Sequence, residues 1–165
     1  MFHRISYIQG AGAPRFPGNP PNRIRAQLSL ERGDNCNAYE VALFNHNGTH
    51  VDLPNHSIAK GRRLQSYEIV DFVFEKPVLI RLDCDTGQAI TAAMLTPFVE
   101  NLQGRDFLFL KTGFGSRRGS SEYLNNPCLT GDAAALLRRL HGLRALGIDF
   151  LSVTNPQLQE QGDQV

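Results

Sequence analysis

Short stretches of alternating or continuous apolar residues follow one another along this 165-residue chain, and they predict strands. Residues 24–30 alternate between apolar and polar side chains, which is typical of a half-buried strand. Residues 39–44 predict a second strand after a Gly-Asp-Asn turn signal. The apolar runs at 77–82 and 106–111 predict buried strands, the first opening with a proline where a strand permits one. We expect a last strand at 143–148.

Two stretches predict helices. Residues 132–140 (DAAALLRRL) form the clearest one, with Thr130 as a candidate N-terminal cap and arginines in the last turn, where positive charge is favoured. Residues 91–102 carry apolar side chains at the spacing of a helix face, and Thr91 is the candidate cap. Because Pro97 interrupts this run, we expect either a break or two shorter helical turns.

The remaining stretches indicate loops and set the fold class. Residues 10–22 are dense in glycine and proline and must form a loop. The sequence of residues 67–74 fits either a short helix or a strand. The polar residues 157–165 indicate a tail. Strands interleaved with few helices predict a mixed α/β fold without a regular βαβ repeat. The length predicts a single domain spanning residues 1–165.

Composition excludes several classes of partner. Hydrophobic residues make up 41% of the chain and charged residues 20%, as in an ordinary globular protein. The formal net charge of +1 favours neither nucleic acid nor an anionic membrane, and no apolar run is long enough to cross a bilayer. The N-terminus lacks the apolar core of a signal peptide. Because the three cysteines are widely spaced, we expect reduced thiols and a cytoplasmic location.

Candidate chemistry is concentrated between residues 44 and 56 (FNHNGTHVDLPNH). Three of the five histidines fall in the eleven residues 46–56, where uniform scatter would place about a third of one. Four side chains that bind metals or protons occupy even positions: His46, His50, Asp52 and His56. In an extended backbone such residues point to one face, so we expect them to converge.

This stretch contains a plausible set of metal ligands. Two neutral imidazoles and a carboxylate suit a zinc-like ion, and three protein ligands leave a position open for water. Gly48 lets the backbone bend between the ligands. Pro54 ends the strand before His56, which is then free for a different role. The alternative is that these histidines are structural side chains in a turn rich in glycine and proline.

The same stretch resembles the signature of the metal-dependent cyclase family, which includes bacterial kynurenine formamidases. The family pattern is His-x-Gly-Thr-His-x-Asp-x-Pro-x-His, and every fixed position is present between His46 and His56. The resemblance extends along most of the chain, through residues 16–20 (FPGNP), 111–114 (KTGF) and 146–153 (LGIDFLSV).

The resemblance implies both a fold and an activity. The fold is a swivelling β/β/α domain with a central mixed, barrel-like sheet flanked by helices. His46, His50 and Asp52 are implied to hold one or two divalent ions, zinc or alternatively manganese, with His56 as general base and then acid. The implied reaction is hydrolysis of an amide, a cyclic amide or an ester, such as an N-formyl arylamine or a lactam. Family members form dimers or tetramers, so a homo-oligomer acting on a small molecule is expected.

Three phenylalanines flank the matching segments and are candidates for an aromatic substrate pocket. Burial in the hydrophobic core is the alternative for each of them. They are Phe16, Phe44 and Phe114.

The chain departs from the family pattern towards its C-terminal end. Family members continue with a later histidine and a glutamate that complete a second metal position, whereas His141 and Glu160 are the last such residues here. Truncation, dispensable ligands or ligands from another subunit would each account for this. Three functions therefore stay open: a metal-dependent amidohydrolase, a metal-binding but catalytically silent truncated relative, and a non-enzymatic binding domain with structural histidines.

Overall fold

A computed structural model describes residues 3–155 of the chain. These residues divide into two compact units, with the boundary between Leu64 and Gln65. The single domain expected from the length stays a prediction, and the tail expected at 157–165 lies outside the described residues. No helix within residues 3–155 has the length and apolar character needed to cross a membrane.

The first unit contains one antiparallel pair of strands. Strand β1 (Arg23–Leu28) pairs with β2 (Ala38–Ala42), so that Ile24 lies opposite Val41. Both strands were predicted, but the expected half-burial is wrong, because all six residues of β1 are exposed. A two-stranded ribbon buries little by itself, and the side chains of Ile24 and Val41 stay about half exposed.

Residues 10–22 form a loop, as their glycine- and proline-rich composition predicts, and Leu30–Arg32 forms one 3₁₀ turn. Strand β2 ends at Ala42, and the histidine-rich stretch follows as a loop that ends in a 3₁₀ turn, Pro54–His56. Among residues 3–64 the only buried residues are two asparagines, Asn22 and Asn47.

The second unit is built on a three-stranded parallel sheet. Its strands are β3 (Pro77–Arg81), β5 (Phe107–Lys111) and β7 (Ala145–Ile148), with β5 in the centre. Two shorter strands, β4 (Ala89–Ile90) and β6 (Cys128–Leu129), form a separate parallel pair. The three longer strands were predicted to within two residues at each end, and β3 does open with a proline.

Short helices connect these strands. The predicted interruption at Pro97 is confirmed: α1 (Ala92–Leu95) and α2 (Val99–Leu102) are joined by a 3₁₀ turn, Thr96–Phe98. The predicted cap is wrong, because Thr91 makes no capping bond. The backbone N–H of Ala92 instead donates to the carboxylate of Asp132, 3.1 Å away.

Helix α3 (Gly131–Arg138) confirms the clearest helix of the sequence. Thr130 precedes it as predicted but makes no capping bond, and its hydroxyl donates to the carbonyl of Ile90 instead, at 2.9 Å.

The second unit repeats one order of elements twice. The chain passes through β3, β4 and the α1–α2 pair, then through β5, β6 and α3, and ends in β7. Our expectation that no regular βαβ repeat occurs is therefore wrong for this unit. Two-residue strands and a helix broken by proline are too short to leave a periodic pattern in the sequence.

The fold class is mixed α/β, as expected, but the central barrel-like sheet is not found among residues 3–155. Their strands form three separate sheets of two, three and two strands. Closing a barrel takes more strands than any of these sheets has, and the three-stranded sheet is parallel, not mixed.

The hydrophobic core belongs to the second unit. Leu108 and Leu110 of β5 are fully buried, and their neighbours on the other face are half-buried, as expected for a parallel strand covered on both sides. Burial of each such leucine stabilises the fold by about 1.5–3 kcal/mol. Other buried members include Ile80, Ile90, Leu95, Leu102, Phe114, Leu137, Leu140 and Phe150.

Candidate metal centre

The loop that follows β2 turns back on itself between the predicted ligands. Residues 45–49 form turns and bends, and Gly48 has a φ of +70°, a left-handed conformation that favours glycine. The bend expected at Gly48 is confirmed. The convergence of His46 and His50 therefore comes from this reversal, not from the extended backbone that we expected.

Three of the four predicted side chains meet in a tight cluster. His50 Nε2 lies 2.8 Å from His46 Nδ1 and 3.3 Å from a carboxylate oxygen of Asp52. His46 Nδ1 lies 3.1 Å from the same oxygen. Ligands of one tetrahedral zinc ion are separated by about 3.3 Å, given bonds of about 2.0–2.1 Å. The residues present therefore fit a divalent ion.

A carbonyl within the loop sets the orientation of one imidazole. His50 Nδ1 lies 2.7 Å from the carbonyl oxygen of Gly48, a contact that requires a proton on Nδ1. Nε2 of His50 then presents a lone pair to His46 and Asp52. This lone pair and the carboxylate of Asp52 both face His46 Nδ1, so either a proton on that nitrogen or a cation must lie among the three atoms. This arrangement supports cation binding, and the bond to the Gly48 carbonyl is the kind that orients metal-bound histidines.

The cluster is open to solvent. The side chains of His46 and His50 are about one-quarter exposed, and that of Asp52 is half exposed. Such exposure leaves room for a water molecule or a substrate beside the three ligand atoms.

The fourth predicted residue, His56, lies beside the cluster. Its ring stacks on that of His46, with centroids 4.2 Å apart and planes inclined by 30°. The 3₁₀ turn that carries His56 packs closely against Gly61, where a β-carbon would lie 2.4 Å from the carbonyl carbon of Pro54. The sequence analysis assigned Gly61 no role. Its position five residues after the motif was the only signal that could have pointed to this contact.

Residues near the N-terminus hold the loop from its other side. The side-chain amides of Gln9 and Asn19 donate to the carbonyl oxygens of Asn47 and His46, at 3.0 and 3.4 Å. The backbone N–H of Tyr7 donates to the hydroxyl of Thr49 at 3.2 Å. The glycine- and proline-rich segment therefore lies next to the histidine loop.

Sequence reasoning missed these supporting amides. Gln9 lies in irregular chain and follows no periodic pattern. Asn19 and Asn22 lie within the glycine- and proline-rich segment 10–22, which gave a signal as a whole but did not single out either side chain.

The phenylalanines proposed for an aromatic pocket have different surroundings. Phe114 is a buried core residue of the second unit, with its ring 6.2 Å from that of Tyr123. Phe16 and Phe44, in the first unit, are half-buried.

A carboxylate of the same chain binds the glycine-rich turn that follows β5, residues 112–115. Asp149, just after β7, accepts bonds from the backbone N–H and the hydroxyl of Thr112, at 2.8 and 2.5 Å, and from the N–H of Gly113, at 2.9 Å. Backbone N–H groups of this kind bind phosphate in nucleotide sites. Here a carboxylate of the same chain occupies them.

Comparison with known proteins identifies relatives of the chain. A family model described as "Putative cyclase" matches residues 4–155. The chain is 29% identical over 140 residues to a kynurenine formamidase of Bacillus cytotoxicus, and 30% identical over 139 residues to one of Bacillus mycoides. Each alignment covers 84% of this chain and 63% of the relative. The chain therefore spans a little under two thirds of the length of these relatives.

A solved structure shares the fold. The crystal structure of a novel cyclase superposes with a TM-score of 0.64 over 88% of this chain and 63% of the other, at 15% sequence identity.

Proposed function

Because the chain belongs to the cyclase family and is similar to bacterial kynurenine formamidases, we propose that it is a metal-dependent hydrolase of the arylformamidase or lactam hydrolase type. Its substrates are small amides, cyclic amides or esters, with N-formyl arylamines such as N-formylkynurenine and lactams such as isatin as the first candidates. The observation that carries this proposal is the convergence of His46, His50 and Asp52 within 3.3 Å of one another.

His46 Nδ1, His50 Nε2 and one oxygen of Asp52 would hold the ion. A bound zinc or manganese ion would polarise the substrate carbonyl and lower the pKa of its water from about 16 towards 7. His/Asp sets accept both metals. The three atoms provide for one ion, and a second ion would need further ligands.

His56 is the proposed general base and acid. Its ring lies on that of His46, close enough to reach a water beside the cluster. In the proposed reaction its imidazole takes a proton from the attacking water as the new carbon–oxygen bond forms. It then returns the proton to the leaving nitrogen as the carbon–nitrogen bond breaks, giving an acid and an amine. Such positioned proton transfer is typically worth ~10²–10⁴ in rate.

Metal content is the experiment that tests this proposal. Protein purified without chelator should contain about one divalent ion per chain by plasma mass spectrometry, and His50→Ala should lose it. His141→Ala is the matched control, because His141 is also exposed but lies outside the cluster. Absence of metal in the wild type, even after zinc or manganese is added, would contradict the proposal. Metal binding without turnover of any formamide or lactam would favour the catalytically silent relative.

Two further expectations stay predictions. Self-association is tested by light scattering, where the mass of a single chain would contradict the expected homo-oligomer. Cytoplasmic location is in keeping with three free cysteines.

A further inference from the structure

We propose that Gln9, Asn22 and Asn47 form a closed cycle of amide hydrogen bonds that positions the metal ligands His46 and His50. This inference rests on the proposed function, since it assigns positioning residues to the same metal centre. It gives a role to two residues outside the family motif and to one that the motif leaves unspecified.

The cycle consists of three bonds that run in one direction. Gln9 Nε2 donates to the carbonyl oxygen of Asn47 at 3.0 Å. Asn47 Nδ2 donates to Asn22 Oδ1 at 3.3 Å, and Asn22 Nδ2 donates to Gln9 Oε1 at 3.1 Å. Within the cycle, each of the three residues therefore donates one bond and accepts one.

Neighbouring carbonyls fix the direction of the cycle. Asn47 Nδ2 also donates to the carbonyl of Pro20, and Asn22 Nδ2 to the carbonyl of Gly10, both at 3.3 Å. Reversing either amide would turn its oxygen towards one of these carbonyl oxygens, which cannot donate. The orientation of the side chains is therefore determined by the backbone around them.

Burial makes these bonds consequential. Asn22 is 4% exposed and Asn47 8% exposed, and no other residue within 3–64 is buried. Breaking one bond would leave a buried amide unsatisfied, at a cost of about 1–3 kcal/mol. Oδ1 of Asn47 already lacks a partner among the described residues. A leucine at position 47 would avoid the cost of this unsatisfied oxygen. We therefore infer that position 47 is asparagine because of the two bonds that its Nδ2 donates.

The cycle acts directly on the ligand loop. It holds both the side chain and the carbonyl of Asn47, which lies between His46 and Gly48 in the sequence. The carbonyl of Gly48 in turn orients the ring of His50. A shift at position 47 therefore moves both imidazoles, and partners that orient metal ligands typically contribute 10–100-fold to metal affinity.

Metal affinity of cycle variants tests this proposal. Gln9→Glu removes the donor to Asn47 at nearly constant shape, and Asn22→Ala removes two links. Cobalt(II) and zinc affinities are measured by competition with a chromophoric chelator, together with the visible absorption of bound cobalt and the unfolding midpoint of the metal-free chain. Asn37→Ala is the control, because it removes a side-chain amide that accepts a bond from Leu30 at the hairpin end of the same unit.

We expect Gln9→Glu and Asn22→Ala each to weaken metal binding about tenfold or more, with an altered cobalt spectrum. Asn37→Ala should bind as the wild type does. The double variant Gln9→Glu/Asn22→Ala should lose much less than the product of the single losses, because both changes break one cycle. If Asn22→Ala does not fold, the partly exposed Gln9 still provides the decisive variant.

Other results separate the inference from the function on which it rests. Wild-type affinity in Gln9→Glu and Asn22→Ala would overturn the positioning role while leaving the metal centre intact. The positioning role would also be overturned if the losses of metal affinity in Gln9→Glu and Asn22→Ala added fully in the double variant. Losses equal to that in Asn37→Ala would overturn it as well, because they would indicate general destabilisation. A wild type that binds neither cobalt nor zinc would overturn both proposals.

Discussion

The side-chain nitrogen of Gln9 occupies the space that a β-carbon on Gly48 would need. An ideal β-carbon at Gly48 would lie 1.2 Å from Gln9 Nε2, the same nitrogen that donates to the carbonyl of Asn47. Two physical constraints therefore favour glycine at position 48. It allows the positive φ of the turn between the ligands, and it lets Gln9 approach the loop backbone.

Gly48→Ala should weaken metal binding about tenfold and lower stability. The alanine would adopt a left-handed conformation at a cost of about 1–2 kcal/mol, and it would push Gln9 away from the carbonyl of Asn47. Gly18→Ala is the matched control, since Gly18 also has a positive φ, of 84°, but nothing lies within 4 Å of its β-carbon position. Equal metal affinity in both variants would refute the steric role of Gln9.

His56→Ala should retain the metal and lose turnover. The ring of His56 stacks on His46 but contributes no atom to the three-ligand cluster. We therefore expect metal content to stay near that of the wild type while kcat falls by ~10²–10⁴ on a substrate identified by screening. Unchanged kcat would exclude His56 as the base, and loss of the metal would make it a ligand instead.

The histidine loop shows how far sequence reasoning reaches. Spacing and chemistry were enough to select His46, His50 and Asp52, because ligands close in sequence need only one turn to meet. The backbone path was not predictable from the ligand spacing. An extended strand, which we assumed, and a turn at Gly48, which is observed, both bring these side chains together. Gln9 and Asn22 were missed because scattered amides in irregular chain leave no periodic signal.

The same limit applies to the second unit. The strands at 77–82 and 106–111 were predictable because each is a short, mostly apolar run, and 143–148 has four apolar residues in six. The cap of α1 was not, since Asp132 lies 40 positions away from Ala92 in the sequence and reaches it only in the folded chain. Local propensity favoured Thr91, and tertiary structure supplied a charged acceptor instead.

Asp106 should make stability depend on pH in the acid range. Burial raises the pKa of its carboxyl, but four favourable interactions together lower the pKa by more. They are bonds from the backbone N–H groups of Glu75 and Lys76, at 2.7 and 2.9 Å, a bond from its own backbone N–H, and the positive charge of Arg144. The pKa is therefore lower in the folded than in the unfolded state. The stabilisation is present above about pH 4 and is lost as pH falls through the folded-state pKa.

Urea unfolding at two pH values checks this prediction. Asp106→Asn should unfold at lower urea than the wild type near pH 7, and the gap should narrow towards pH 3 or below. Glu75→Gln is the control, because it removes a neighbouring exposed charge and keeps the backbone donor. If the difference in urea midpoint between Asp106→Asn and the wild type stayed constant with pH, the ionised carboxylate of Asp106 would not be the cause of the stabilisation.

The three free cysteines should react with alkylating reagents in a fixed order. Burial, followed by the negative charges of Asp149, Asp83 and Asp85, raises the pKa of the Cys84 thiol to about 11. Burial also raises the pKa of the Cys128 thiol. Because the thiolate is the reactive form, the buried Cys84 and Cys128 should resist iodoacetamide near pH 8, whereas the exposed Cys36 should react.

Mass spectrometry with a Cys36→Ser variant tests this order. The variant should take up almost no label until urea unfolds it, and its labelling rate should still be rising above pH 9. Rapid labelling of Cys84 in the native variant would contradict the burial described above.

The ligand cluster and the groups that hold it all come from one contiguous part of the chain. The hydrogen bonds to the loop begin at Tyr7 and the catalytic candidates end at His56, so residues 7–56 contain the three proposed ligands and the groups that bond to their loop. Substitutions beyond this stretch change none of the three proposed ligands. The proposed metal chemistry is therefore encoded by a single short part of the gene.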